Sequence, residues 1–145
     1  MISPDFVDIL LVEDNAQDAE LTIRALKKAN LASNLYLVHD GVEALEFIFQ
    51  KGQYVDTSRQ FSLKVILLDL KLPKMDGLEV LNSIKSDKRT RMIPVVILSS
   101  SEEISDIKSA YRRGANSYLV KPVNFDGFVE LVKLVGYYWL SANQI

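Results

Sequence analysis

Five residues in this chain could do chemistry together, and each stands where an apolar run gives out. Ile9-Leu10-Leu11-Val12 runs into Glu13-Asp14, and Val65-Ile66-Leu67-Leu68 runs into Asp69. Val95-Val96-Ile97-Leu98 ends in Ser99, and Tyr118-Leu119-Val120 ends in Lys121-Pro122. A carboxylate at the exit of a buried strand is costly to desolvate, so it must be capped, paired or used. Three carboxylates sharing one crevice repel; two charges about 4 Å apart cost roughly 4 kcal/mol at an effective dielectric near 20. Either their pKa values rise or a cation joins them. Oxygen-only ligation selects a hard cation, and one or two carboxylates completed by waters and a phosphate is the habit of Mg²⁺ rather than of a Ca²⁺ cage. The single histidine, His39, excludes a His pair, and without cysteine there is no thiolate metal site. Beside such a cation Lys121 offers a point charge to a phosphoryl oxygen, and Ser99 offers a hydroxyl donor. Cation, ammonium and hydroxyl around Asp69 form a phosphoryl clamp, with Asp69 as the nucleophile that would become an aspartyl phosphate.

The elements that must position these groups alternate along the whole chain. Apolar runs over Val7 to Val12, Asn34 to Val38, Val65 to Leu68, Val95 to Leu98 and Ser117 to Val120 read as five strands. Between and after them lie helix-period segments: Ala16 to Ala29 with Leu21, Ile23 and Leu26, then a helix capped by Asp40 with Val42, Leu45 and Phe49. Glu43, three residues after Asp40, completes a capping box. The third helix carries Leu78, Leu81 and Ile84, and the fourth carries Ile104, Ile107 and Tyr111 and stops at Gly114. The fifth runs from Phe125 to about Leu140, with Phe128, Leu131, Val132 and Val135 inward. Strands that read as continuous apolar runs belong to a parallel sheet covered on both faces. Five βα repeats predict an α/β fold, a doubly wound five-stranded parallel sheet of order 2-1-3-4-5, flavodoxin-like in its (βα)5 plan. Ligands of such a sheet bind beyond the carboxyl ends of the strands at the switch point, which places Glu13, Asp14 and Asp69 together.

At 145 residues the chain fits one domain over 1–145 with its core at about 6–140, long enough to bury roughly 68–70% of its unfolded surface. It is 48% hydrophobic and 25% charged with a net charge of −2, and no basic block or stripe suggests nucleic-acid or membrane-surface binding. No apolar run nears the roughly 18 residues that span a bilayer, and the N-terminus lacks signal-peptide character, so a cytoplasmic location is expected. The stretch Gln50 to Ser62 reads as a polar and mobile loop, and Lys85 to Arg91 as a solvated basic one. Helical geometry cannot turn every side chain of Gly136-Tyr137-Tyr138-Trp139-Leu140 inward, so some aromatics should be exposed as a contact surface. His39 reads as a partly exposed strand residue.

Four segments together resemble the receiver domains of two-component response regulators over about Phe6 to Leu140. They are Leu11-Val12-Glu13-Asp14-Asn15, Leu67 to Pro73 with Asp76-Gly77, Pro94 to Ser100, and Gly114 to Pro122. The resemblance implies that Asp69 accepts a phosphoryl group from a sensor histidine kinase. It also implies that Glu13, Asp14, Asp69 and the backbone carbonyl of Lys71 hold Mg²⁺, that Lys121 contacts the phosphate, and that Ser99 and Tyr118 form a switch pair. A cis peptide at Lys121-Pro122 is implied too. Glu13-Asp14 replaces the usual pair of aspartates, and Ser99 stands where threonine is more frequent; both keep the needed chemistry. The long segment after the second helix and the aromatic tail, with Leu21 to Leu26 and Asp40 to Leu45, resemble single-domain regulators serving cyanobacterial phytochromes. Output is then expected through a downstream protein effector, read from the surface of the fourth helix, fifth strand and fifth helix. That face and the aromatic tail are also the expected homodimer seam. Three alternatives compete. A pseudo-receiver module would be expected to lose part of the acid cluster, a haloacid-dehalogenase-type phosphatase wants an acid where Lys71 stands, and a dinucleotide-binding enzyme needs a glycine-rich turn that Glu13-Asp14-Asn15-Ala16 does not supply.

Overall fold

The computed structural model describes residues 7–31, 34–55, 63–122 and 124–144. The five apolar runs are strands β1 (Ile9–Val12), β2 (Leu35–Val38), β3 (Val65–Leu68), β4 (Val95–Ser99) and β5 (Ser117–Val120). They pair in parallel in the order β2-β1-β3-β4-β5. Helices α1 (Ala16–Lys28), α2 (Gly41–Phe49), α3 (Gly77–Ser86), α4 (Ile104–Arg112) and α5 (Phe125–Tyr137) alternate with them. Side chains alternate across each strand, so β1 turns Leu10 and Val12 toward Phe47, Ile48, Leu81 and Ile84 of α2 and α3, and Ile9 and Leu11 toward Leu26, Phe128 and Val132 of α1 and α5. Both faces of the central strands are thereby dry, which is why β1, β3 and β4 could be written almost wholly in Ile, Leu and Val.

The helix starts follow local chemistry. Asn15 caps α1 by accepting from the Asp18 N–H, Asp40 caps α2 through the Glu43 N–H, and Asp76 caps α3 through the Leu78 N–H. Glu43 reaches back to the His39 N–H (3.0 Å), one residue beyond the Asp40 N–H of a standard box.

Four expectations need correction. The buried face of α2 is Gly41, Ala44, Phe47 and Ile48; Leu45 and Phe49 only flank it, half-buried against the core, and with the exposed Val42 they line a surface groove beside Met75 and Arg89. Both sets have helical spacing, and the aromatic cluster of Tyr36, Phe47 and Tyr54 decides between them. In α4 only Ala110 is buried, and Ile104 and Tyr111 are exposed. The segment after α2 begins as a fastened turn: Tyr54 is buried, with its hydroxyl 3.0 Å from that of Tyr36 and donating to Glu43 (2.9 Å). Residues 56–62 of that stretch lie outside the described residues. Lys85 is no solvated lysine, because its ammonium donates to the carbonyls of Arg91 and Ile93 and to Asn116 Oδ1. Burial among these neutral acceptors lowers its pKa.

The tail exposes aromatics as expected. After α5 a π-helical turn, Tyr138–Ala142, leaves Tyr137 and Tyr138 exposed while Trp139 packs on the α1–α5 side of the core. Among the described residues no helix is long and apolar enough to cross a membrane.

Candidate functional site

Strand register brings the polar residues together. Val12 pairs with Leu68, so Glu13 and Asp69 leave adjacent strands at the same level, and the Asp69 N–H donates to the Val12 carbonyl (3.2 Å). Ser99 and Val120 pair likewise, and the Lys121 N–H donates to the Ser99 carbonyl (2.8 Å). Carboxylate oxygens of Glu13, Asp14 and Asp69 all lie within 4.8 Å of one another. Asp14 is exposed, Asp69 half-buried and Glu13 buried. This oxygen-only set, open at Asp14, fits a hard divalent cation better than a softer metal.

Lys121 crosses from β5 to close the cluster. Its Nζ donates to Glu13 Oε1 (2.8 Å) and Asp18 Oδ2 (2.9 Å) and lies 3.5 Å from Asp69 Oδ2. The lysine side chain is 8% exposed and Glu13 3%, so this is a buried ion pair with a half-buried third member, Asp18. Burial alone would lower the lysine pKa; hydrogen bonds to Glu13 and Asp18 and the charge of Asp69 overcome it and hold the ammonium charged. Burial pushes the Glu13 carboxyl up to about 7 against the pull of Lys121, and the neighbouring Asp69 adds to the rise.

The loop below Asp69 is set by close packing. A side chain on Gly77, the first residue of α3, would collide with the Asp69 carbonyl and the Leu70 backbone, and the Gly77 N–H donates to the Leu70 carbonyl (2.8 Å). Lys71 sits in this turn, and its N–H reaches Asp69 Oδ1 at 3.4 Å. On the other side Ser99 is buried, its Oγ accepting from the Ser101 N–H (3.1 Å), which leaves its own proton to donate. The Tyr118 hydroxyl donates to the Ser101 carbonyl (2.9 Å), so Ser99 and Tyr118 are joined through one intervening residue.

The structure thus gathers Glu13, Asp14, Asp69 and Lys121 at one edge, with Ser99 and Tyr118 bonded to the loop beside it. The Lys121–Pro122 bond departs from expectation: among the described residues no peptide bond is cis. Trans is the intrinsic preference before proline by about 0.5–1 kcal/mol, and the lysine already reaches its acidic partners in that form. Two residues escaped the sequence reading. Asp18 carries only a weak signal, an acid in the first turn of α1 shortly after the strand-end pair Glu13-Asp14, where an acid is ordinarily read as complementing the helix start. Ser101 carries none, because it acts through its backbone and through a hydroxyl bonded to Asp106 (2.6 Å).

Comparison with known proteins agrees with this geometry. The family model for the response regulator receiver domain matches residues 9–133. The probable methanogenesis regulatory protein FilR2 of Methanothrix harundinacea (strain 6Ac) is 38% identical over 94% of this chain and 85% of its own length. Response regulator Rcp1 of Synechocystis sp. (strain ATCC 27184 / PCC 6803 / Kazusa) is 38% identical over 92% of this chain and 89% of its own. A crystal structure of the Mn(2+)-bound form of Rcp1 superposes with a TM-score of 0.87 at 36% identity, covering 94% of this chain and 96% of that one. The phosphorylated cyanobacterial phytochrome response regulator RcpA also gives 0.87, at 41% identity over 94% and 95% of the two chains. With the family model covering most of its length and the strand-end acids and lysine in one cluster, this chain belongs to the response regulator receiver domain family.

Proposed function

We propose that this protein is a response regulator whose Asp69 accepts a phosphoryl group from a sensor histidine kinase, with a phytochrome as the favoured sensor. The observation that carries the reading is the Lys121 ammonium held among Glu13, Asp18 and Asp69 beside an exposed Asp14. Asp69 supplies the nucleophile: a carboxylate oxygen forms the new O–P bond as the P–N bond of the kinase phosphohistidine breaks, its electron pair staying on the imidazole nitrogen, which then takes up a proton. Lys121 stands 3.5 Å from that carboxylate and can donate to a phosphoryl oxygen, as can the Ser99 hydroxyl. Glu13, Asp14, Asp69 and the Lys71 carbonyl would hold Mg²⁺, which offsets the negative charge of the acids and of the incoming phosphoryl group. The Mn(2+)-bound form of Rcp1 and the phosphorylated form of RcpA support both parts by likeness.

Output follows from the bond network. Drawing the Ser99 hydroxyl to a phosphoryl oxygen pulls on the Ser101 N–H that donates to it, and Ser101 in turn holds the Tyr118 hydroxyl. The α4–β5–α5 surface is thereby biased between two arrangements and read by a downstream protein. Phe125, Leu134, Tyr137 and Tyr138, exposed along α5 and its extension, favour a second copy of this chain as one such reader. The phosphoacceptor is tested by Mg²⁺-dependent labelling with acetyl phosphate: the wild type should take up phosphate and Asp69→Asn should not, with the fold unchanged by circular dichroism. Undiminished labelling of Asp69→Asn would remove the assignment. Wild-type protein that folds and takes up no label would favour a phosphorylation-independent binding module.

A further inference from the structure

We propose that Asp18 is a positioning residue that competes with the modified Asp69 for the Lys121 ammonium and so sets how readily the phosphorylated state forms. This inference rests on the reading of Asp69 as phosphoacceptor. An ammonium has three N–H donors. Two are engaged at short range, by Glu13 (2.8 Å) and Asp18 (2.9 Å), while Asp69 Oδ2 is left at 3.5 Å. In the unmodified protein the ammonium is therefore drawn to the α1 side of the cluster, away from the atom it must serve. Glu13 is buried and cannot readily trade its partner for water, but Asp18 is 32% exposed and can. When anionic oxygens arrive on Asp69, the Asp18 bond is the one that yields.

Asp18 is also rigidly presented. Its N–H is held by the Asn15 cap and its carbonyl accepts from the Thr22 hydroxyl (2.8 Å), so both backbone groups are fixed independently of the carboxylate. Replacing the carboxylate by an amide thus removes the competing charge and leaves the helix start intact. Glu20, two residues on, pairs with Arg24 on the exposed face and supplies a control of equal charge.

The experiment titrates Mg²⁺-loaded protein with beryllofluoride by calorimetry. Asp18→Asn should bind about threefold to tenfold more tightly than wild type, the scale of one partly exposed charged hydrogen bond. Asp18→Glu should stay near wild type, and Glu20→Gln should not change. In metal-free protein the Lys121 ε-methylene NMR signal should move in Asp18→Asn and stay in place in Glu20→Gln. Equal affinity of Asp18→Asn and wild type, weaker binding, or equal tightening by Glu20→Gln would overturn the competition. Wild-type protein that binds no beryllofluoride would instead overturn the phosphoacceptor reading, and this proposal with it.

Discussion

Lys121 directs its ammonium at three carboxylates, and their unequal burial decides what each can do. Glu13, buried beneath the lysine, has its carboxyl pushed up to about 7 by desolvation from an ordinary 4.5. A carboxyl raised in this way binds its proton more tightly folded than unfolded. Its contribution to stability is fully present below about pH 4.5 and is lost as pH rises through about 7. The metal-free protein should therefore lose a component of its stability across that window, and Glu13→Gln should remove that component from the melting profile. Because a ligand carboxylate must be deprotonated, Mg²⁺ should bind progressively better over the same interval. Calorimetric titrations at several pH values check this, and an Mg²⁺ affinity flat across the window would contradict the role given to Glu13. Asn15 takes the cap of α1, so the exposed Asp14 carboxylate is not used at the helix start, and His39 is an exposed residue just past β2.

At the scale of elements, the strands were legible because a parallel sheet covered on both faces leaves little choice of residue type. The runs at β3 and β5 carry their observed limits in plain view. The helices were less legible. In α2 two apolar stripes share helical spacing, and only packing against Tyr36 and Tyr54, distant in sequence, selects the one through Ala44 and Phe47. In α4 Ile104 and Tyr111 face outward, which no periodicity distinguishes from facing inward. Lys85 reads as solvated in the sequence because its three acceptors, two in the connection from α3 to β4 and Asn116 just before β5, converge on it only in the fold. Within the site, acids and lysine at strand ends were visible in the sequence, whereas Asp18 and Ser101 needed three dimensions. The junction of β3 and α3 gives the sharpest consequence. Gly77 lets α3 start directly against the Asp69 carbonyl, so Gly77→Ala must push the helix or the Asp69 backbone aside. Overpacking of this kind costs about 1–3 kcal/mol. Thermal melts should register that loss, and beryllofluoride binding should weaken even at temperatures where the variant is fully folded. Binding equal to wild type would show that Asp69 does not depend on this contact.

At the scale of the whole molecule, the acidic cluster occupies one edge of the sheet while most of the exposed large apolar residues lie along α4, α5 and the aromatic extension, with Val42, Val55 and Met92 elsewhere. On the proposed reading a charge added at Asp69 would reach that side through the bonds joining Ser99, Ser101 and Tyr118, so modification and assembly should be linked. Size-exclusion chromatography with light scattering should show a larger dimer fraction with beryllofluoride and Mg²⁺ than without. Tyr137→Ser with Tyr138→Ser should abolish the dimer while leaving beryllofluoride binding intact. A monomer under every condition would remove the aromatic seam and leave the phosphoacceptor untouched. The central claim concerns the atom that is modified, and the most direct measurement locates it. After reaction with acetyl phosphate and Mg²⁺, borohydride reduction and peptide mass mapping should find homoserine at position 69 and nowhere else. A phosphoryl group carried by His39, or by any residue other than Asp69, would contradict the account.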